Sequence, residues 1–78
     1  MSLKDLRTFI LEDDFKITYL NNKIDIINYV KIEHFSSDKI IINYNKGTIY
    51  VIGNYLYVSK LMNDELLIEG KIERIEFR

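Results

Sequence analysis

Residues 38–77 read DKIIINYNKGTIYVIGNYLYVSKLMNDELLIEGKIERIEF. The stretch breaks into short apolar runs: Ile40-Ile41-Ile42, Ile49-Tyr50-Val51-Ile52, Leu56-Tyr57-Val58, Leu66-Leu67-Ile68 and Ile75-Glu76-Phe77. Gly47, Gly53 and Gly70 fall between these runs or at their ends, where they read as structural turns. β-Branched and aromatic residues fit a pleated, half-buried surface. Such runs, separated by turn signals, predict an all-β antiparallel meander.

The local chemistry predicts where the chain reverses. Asn45-Lys46-Gly47 reads as a hairpin loop with Gly47 in the left-handed position. Gly53-Asn54 reads as a two-residue turn with a positive φ at Gly53. Counting outward then pairs Ile52 with Tyr55, Val51 with Leu56, Tyr50 with Tyr57 and Ile49 with Val58. Ile49, Val51, Leu56 and Val58 fall on one face, an aliphatic core. Tyr50, Ile52, Tyr55 and Tyr57 fall on the other. Further on, Leu66, Ile68 and Ile72 share one parity, whereas Ile75 and Phe77 have the other. One extra residue near Glu73-Arg74 would return both sets to one face, so a bulge or break is expected there.

Upstream, residues 15–20 read as a strand and Asn21-Asn22 as a turn. The apolar–polar alternation of residues 23–35 is disturbed at Ile27, Asn28 and Tyr29, so a bend near Asn28 should split it into two strands. Ser36-Ser37-Asp38 and Met62-Asn63-Asp64 read as further turns. Residues 2–11 are the one candidate helix. Ser2 and Asp5 have capping-box spacing, and Leu3, Leu6 and Ile10 share a helical face. The organisation is thus an N-terminal helical segment and acidic connector over residues 1–14, then a β-meander domain over 15–78. About seven or eight short strands are expected, in a curved sheet or a small two-layer sandwich. A small barrel and a β-solenoid are the alternatives.

Composition bounds the function. Seventy-eight residues make one small domain. Such a domain has little buried surface to stabilise it, so oligomerisation or a partner is the available support. There is no cysteine, so neither a disulfide nor a thiolate metal site is open to the chain. The net charge is −1 and the lysines are dispersed, without the basic cluster of a nucleic-acid footprint. No apolar run approaches the ~20 residues of a membrane helix, so direct insertion is not expected. The first eleven residues are too polar for a signal peptide, and the composition reads as soluble and intracellular. His34 has no serine, cysteine or paired carboxylate in a catalytic spacing, and a structural role suits it better. No phosphate loop or zinc motif is present. The residues therefore point away from an enzyme, a cofactor or a metal.

The tyrosines are the surplus. One reading makes Tyr50, Tyr55 and Tyr57 cover of a second layer. The other makes them, with Ile52, a contact surface for another subunit or a partner, since interfaces favour tyrosine. Tyr19, Tyr29 and Tyr44 serve either reading.

Several strings carry a resemblance. They are Ile24-Asp25-Ile26-Ile27-Asn28, Phe35-Ser36-Ser37-Asp38, Gly47 with Ile49, Val51, Gly53 and Leu56, and Leu66, Ile68, Gly70, Lys71, Ile72, Ile75 and Phe77. Together residues 23–78 resemble the YqfC/YabP family of sporulation proteins of endospore-forming Firmicutes. The resemblance implies a non-enzymatic protein of the mother-cell cytoplasm, acting in spore envelope (cortex or coat) formation. It also implies a membrane-protein partner that would hold the chain peripherally at a membrane. It carries no catalytic residues. The alternative from the residues is a small β-barrel that binds single-stranded nucleic acid by tyrosine stacking.

Overall fold

The computed structural model describes the backbone of residues 6–10 and all of residues 15–78. Among the described residues seven strands follow one another: β1 (Leu6–Ile10), β2 (Lys16–Leu20), β3 (Lys23–Ile27), β4 (Lys31–Phe35), β5 (Lys39–Tyr44), β6 (Gly47–Leu61) and β7 (Glu65–Phe77). They form one antiparallel sheet in the order β1-β2-β3-β7-β6-β5-β4. The all-β class is as the sequence predicts. So are the turns at Asn22 and Asn28, which carry φ of 65° and 66°, as asparagine tolerates.

Half of the expected helix, residues 2–5 and 11, lies outside the described residues. Its other half is a strand: Leu6 to Ile10 pair with Leu20 to Lys16 of β2. A helix this short is marginal. Thr8, Phe9 and Ile10 instead suit a strand, and β2 offers unpaired backbone groups to bond.

The core explains the sheet's curvature. Phe15, Ile17, Ile24, Ile26, Leu66 and Ile68 come from the β1–β3 side, and Ile40, Ile42, Ile49 and Val51 from the β4–β5 side. All belong to one buried cluster with Leu56. Phe15, which leads into β2, stacks on Tyr44 of β5 at 4.3 Å between ring centroids. In a flat sheet β2 and β5 would be four steps apart, roughly 19 Å at ~4.8 Å per strand. The sheet therefore curls until its two halves face each other across the core.

The fold line runs through the two long strands. Residues 65–69 of β7 pair with β3, and residues 39–44 of β5 pair with the first part of β6. Each long strand thus serves both halves. The β6–β7 register breaks at Ile52/Gly53, Asn54/Tyr57 and Val58/Lys60. Ile52 opposes Arg74 while Gly53 opposes Ile72, which leaves Glu73 as the extra residue. This is the bulge expected from the parity change, and it lets Ile72 and Ile75 both pack on the core.

Gly53-Asn54 is not a turn. β6 passes straight through it, with Gly53 opposite Ile72 and Asn54 opposite Lys71. Gly53 has no positive φ, and neither has Gly47, which opens β6 after the Asn45-Lys46 turn. Gly70 lies inside β7 with φ +135°. The glycines at the fold line permit close contact. A Cβ on Gly53 would collide with the Lys71 carbonyl, and one on Gly70 would lie 2.6 Å from the Tyr55 oxygen.

The expected pairs Tyr50–Tyr57 and Val51–Leu56 therefore do not form, yet the faces are as predicted. Ile49, Val51 and Leu56 are buried and Val58 packs against them. Opposite Gly70, β6 carries the two residues Tyr55 and Leu56 between Asn54 and Tyr57. That bulge switches side-chain parity as a turn would. It is held by the β4–β5 loop: Gly53 N–H donates to Asp38 O at 3.1 Å, and Leu56 N–H to Ser37 O at 2.8 Å.

Candidate interaction surface

The bulge sets the tyrosines in space. Tyr55 has φ 56° and is 83% exposed. A bulky residue in the left-handed region is uncommon and strained. Its neighbours accommodate the conformation: the Leu56 N–H donates to Ser37 O, and Gly70, lacking a Cβ, leaves room for the Tyr55 carbonyl. Tyr57, two residues on, projects to the same side and is 51% exposed. A shallow depression beside Tyr57 is lined by Asn22, Lys23, Glu69, Gly70 and Lys71. Lys23 Nζ lies 3.9 Å from Glu69 Oε1 within it.

Tyr50 and Ile52 sit before the bulge and are half-buried. Tyr50 stands opposite Ile41 on one side and Glu76 on the other. The Arg78 guanidinium lies over its ring, 4.1 Å from the centroid, a cation–π contact. The four expected contact residues therefore divide into two pairs. Tyr55 and Tyr57 are open, whereas Tyr50 and Ile52 belong to a surface ladder with Arg74, Glu76 and Arg78. The remaining tyrosines pack inward: Tyr19, Tyr29 and Tyr44 lie against the core.

Sequence reasoning missed an apolar groove at the opposite end of the sheet. Tyr29, Val30 and Ile32 form one wall, and Leu61, Met62 and Asn63 the other. Val30, Leu61 and Met62 are well exposed. Tyr29 Oη donates to the Met62 carbonyl at 2.9 Å across it. The one local signal was Leu61-Met62, apolar residues running into a loop that should be polar.

Charge gathers in one small cluster. Asp25 on β3 and Glu65 on β7 are hydrogen-bonded, with Lys60 Nζ 3.4 Å from Glu65 Oε1 and Lys16 near both. Asp25 Oδ1 is buried without a hydrogen-bond partner. Burial, then the Glu65 carboxylate, pushes Asp25 up to about 6. Glu65 is held below the ordinary carboxylate range by its Asp25 hydrogen bond and by Lys60. No third histidine, cysteine or carboxylate joins Asp25 and Glu65 to complete a metal site among the described residues. His34 is exposed on β4, opposite Ile41. Among the described residues no helix is long and apolar enough to cross a membrane.

The sequence model of the YabP family matches residues 13–78, all but the first twelve. The chain belongs to the YabP family. The match takes in the whole β-meander from Phe15 onward, including the fold line and both tyrosine pairs. Membership of the YabP family suggests a sporulation-related protein. No curated protein and no solved structure matches the chain.

Proposed function

We propose that this chain is a non-enzymatic interaction module in spore envelope formation, and that it docks a membrane-protein partner through Tyr55 and Tyr57. Family membership supports the sporulation setting. The observation that carries the site is Tyr55, a bulky residue at φ 56° with most of its ring in solvent. Strain held in place by two neighbouring elements is a mark of functional positions. Tyrosine buries a large area on docking and still offers a hydroxyl at its tip. Lys23, Lys71 and Asn22 supply a polar rim around Tyr57. The partner would hold the module at a membrane from the mother-cell cytoplasm.

The test is a pull-down of this chain from detergent-solubilised membranes of a sporulating cell, with the membrane proteins it retains identified. Tyr55→Ala with Tyr57→Ala should abolish co-purification while the thermal melt stays close to wild type. Retained co-purification would move the contact elsewhere, first to the Leu61–Met62 groove. A second reading, single-stranded nucleic acid, draws on Tyr57 flanked by Lys23 and Lys71. It requires salt-dependent binding of a single-stranded oligonucleotide that the same double substitution removes.

A further inference from the structure

The second half of β6 has an open side. Up to Ile52, β6 pairs with β5 on the side away from β7. At Gly53 and Leu56 the β4–β5 loop takes over, with Asp38 O and Ser37 O as acceptors. Beyond them, among the described residues, no strand pairs with residues 57–61 on that side. We infer that this edge receives a short extended segment of the partner protein as an added strand, uncharged where it pairs and apolar at alternate positions. This rests on the docking proposed for Tyr55 and Tyr57, and it gives the partner's contacting chain a form.

The backbone phase comes first. Met62 N–H donates to Glu65 O at 2.8 Å across the Asn63-Asp64 turn. Antiparallel pairs alternate between bonded and non-bonded. Leu61–Leu66 is therefore non-bonded and Lys60–Leu67 bonded. Gly70 N–H donates to Asn22 O at 3.2 Å, so Gly70 turns toward β3 and its neighbour Glu69 toward β6. Tyr57–Glu69 is then bonded and Val58–Ile68 non-bonded. Val58 and Leu61 thus turn their N–H and C=O groups to the open side. The extra residue Ser59 makes this edge irregular. Such a bulge guards it against pairing with its own copy.

The side chains point to the same occupant. Leu61 stands opposite the buried Leu66, hence on the core side of β6, yet it is 61% exposed. Met62 beside it, with Val30 and Ile32 on the facing wall, belongs to the apolar groove. Two contacts bound the open stretch, Leu56 N–H to Ser37 O at 2.8 Å and Tyr29 Oη to the Met62 carbonyl at 2.9 Å. Tyr57, opposite Glu69, lies on the outer face. One set of the added strand's alternate side chains would enter the groove, and the other would lie beside Tyr57. Both surfaces then belong to one contact. The charges are already matched within the chain. Glu65 holds Lys60 Nζ at 3.4 Å, and Glu33 accepts from Asn43 Nδ2 at 3.0 Å. Lys31 and Asp64, of opposite sign, adjoin the two walls in the chain. An uncharged segment suits such a seam. An extended chain can bond the Val58 and Leu61 backbone groups, whereas a docked helix has its own groups already paired.

The experiment places a photo-crosslinking benzophenone side chain at position 30 of the full chain, with detergent-solubilised membranes of a sporulating cell as the probe. Cross-links should fall in one short protein stretch, uncharged and apolar at alternate positions. An ester in place of the Leu61 amide removes its N–H and keeps its side chain. It should lower retention of the cross-linked protein about threefold or more. The same change at Lys60, whose N–H faces β7, should lower the melting temperature and leave retention unchanged. In the free chain the Val58 and Leu61 amides should exchange faster than those of Tyr57 and Lys60. Slower exchange at Val58 and Leu61 would overturn the proposal, as would no cross-link, or one to lipid or to residues at helical spacing. Retention lost with Tyr55→Ala/Tyr57→Ala but untouched by the Leu61 ester would overturn the added strand and keep the tyrosine docking. Retention lost with the ester but untouched by the tyrosine pair would do the reverse.

Discussion

At the scale of single residues the fold line decides most. Gly70 combines a φ that side chains rarely adopt with the Tyr55 carbonyl at the place its Cβ would occupy. Gly70→Ala should therefore lower stability by more than ~2 kcal/mol, combining backbone strain with a steric clash. Gly53→Val should also be costly, although Gly53 lies in extended strand. The Lys71 carbonyl is backbone and cannot swing aside. Urea melts of the two variants check both, and a Gly53→Val midpoint at the wild-type value would mean that β6 and β7 separate easily there. Tyr55 makes the opposite case. Its left-handed φ favours glycine, so Tyr55→Gly should leave the monomer as stable as wild type or more so, within ~1 kcal/mol. Partner binding should be lost all the same. A large drop in stability would assign Tyr55 to holding the fold.

At the scale of elements, the legible features were those written in local chemistry. Asn22 and Asn28 announce reversals because asparagine accepts positive φ. The Glu73 bulge could be counted from the parity of Ile72 and Ile75. Gly53-Asn54 could not be resolved this way. A glycine–asparagine pair between apolar runs fits a hairpin turn and a strand crossing equally well. What decides between them is non-local: the carbonyls of Ser37, Asp38 and Lys71, all distant in sequence. The core face survived the error because a turn and a bulge both switch parity. The candidate surface was half legible for the same reason, since the side of each tyrosine could be counted but not the bend that parts Tyr50 from Tyr57. The β3–β7 pair supplies a test by pH. The folded-state pKa of Asp25, about 6, lies above its ordinary 3.8. The folded state thus binds the proton more tightly, and stability from this group falls as pH rises from about 4 to about 6. Glu65 is shifted downward, so its contribution is lost only as pH falls below the ordinary carboxylate range. Asp25→Asn should flatten the profile between pH 4 and 6 and raise the urea midpoint at pH 7. Parallel profiles for wild type and variant would separate Asp25 from the pH dependence.

At the scale of the whole molecule, stability rests on the two halves staying closed over the core. Phe15 and Tyr44 are 29 positions apart in the chain and, by strand order, four steps apart in the sheet. No periodicity could have shown that they stack. Phe15 is almost fully buried, at 1% exposure, and its ring lies nearly parallel to that of Tyr44, at 13°. Truncating a buried phenylalanine costs ~3–5 kcal/mol. A chain of this size has only about 4–12 kcal/mol in total, at ~0.05–0.15 per residue. Phe15→Ala should therefore bring the chain to the edge of unfolding, with the melting temperature down by more than ~12 °C at ~4–8 °C per kcal/mol. Tyr44→Phe keeps the stacked ring and should melt close to wild type, whereas Tyr44→Ala should fall part of the way toward Phe15→Ala. Circular dichroism melts of the three variants give the order. If Phe15→Ala melts within a few degrees of wild type, the halves are held by the bent β6–β7 pair alone. Closure of the curled sheet would then owe nothing to the aromatic stack.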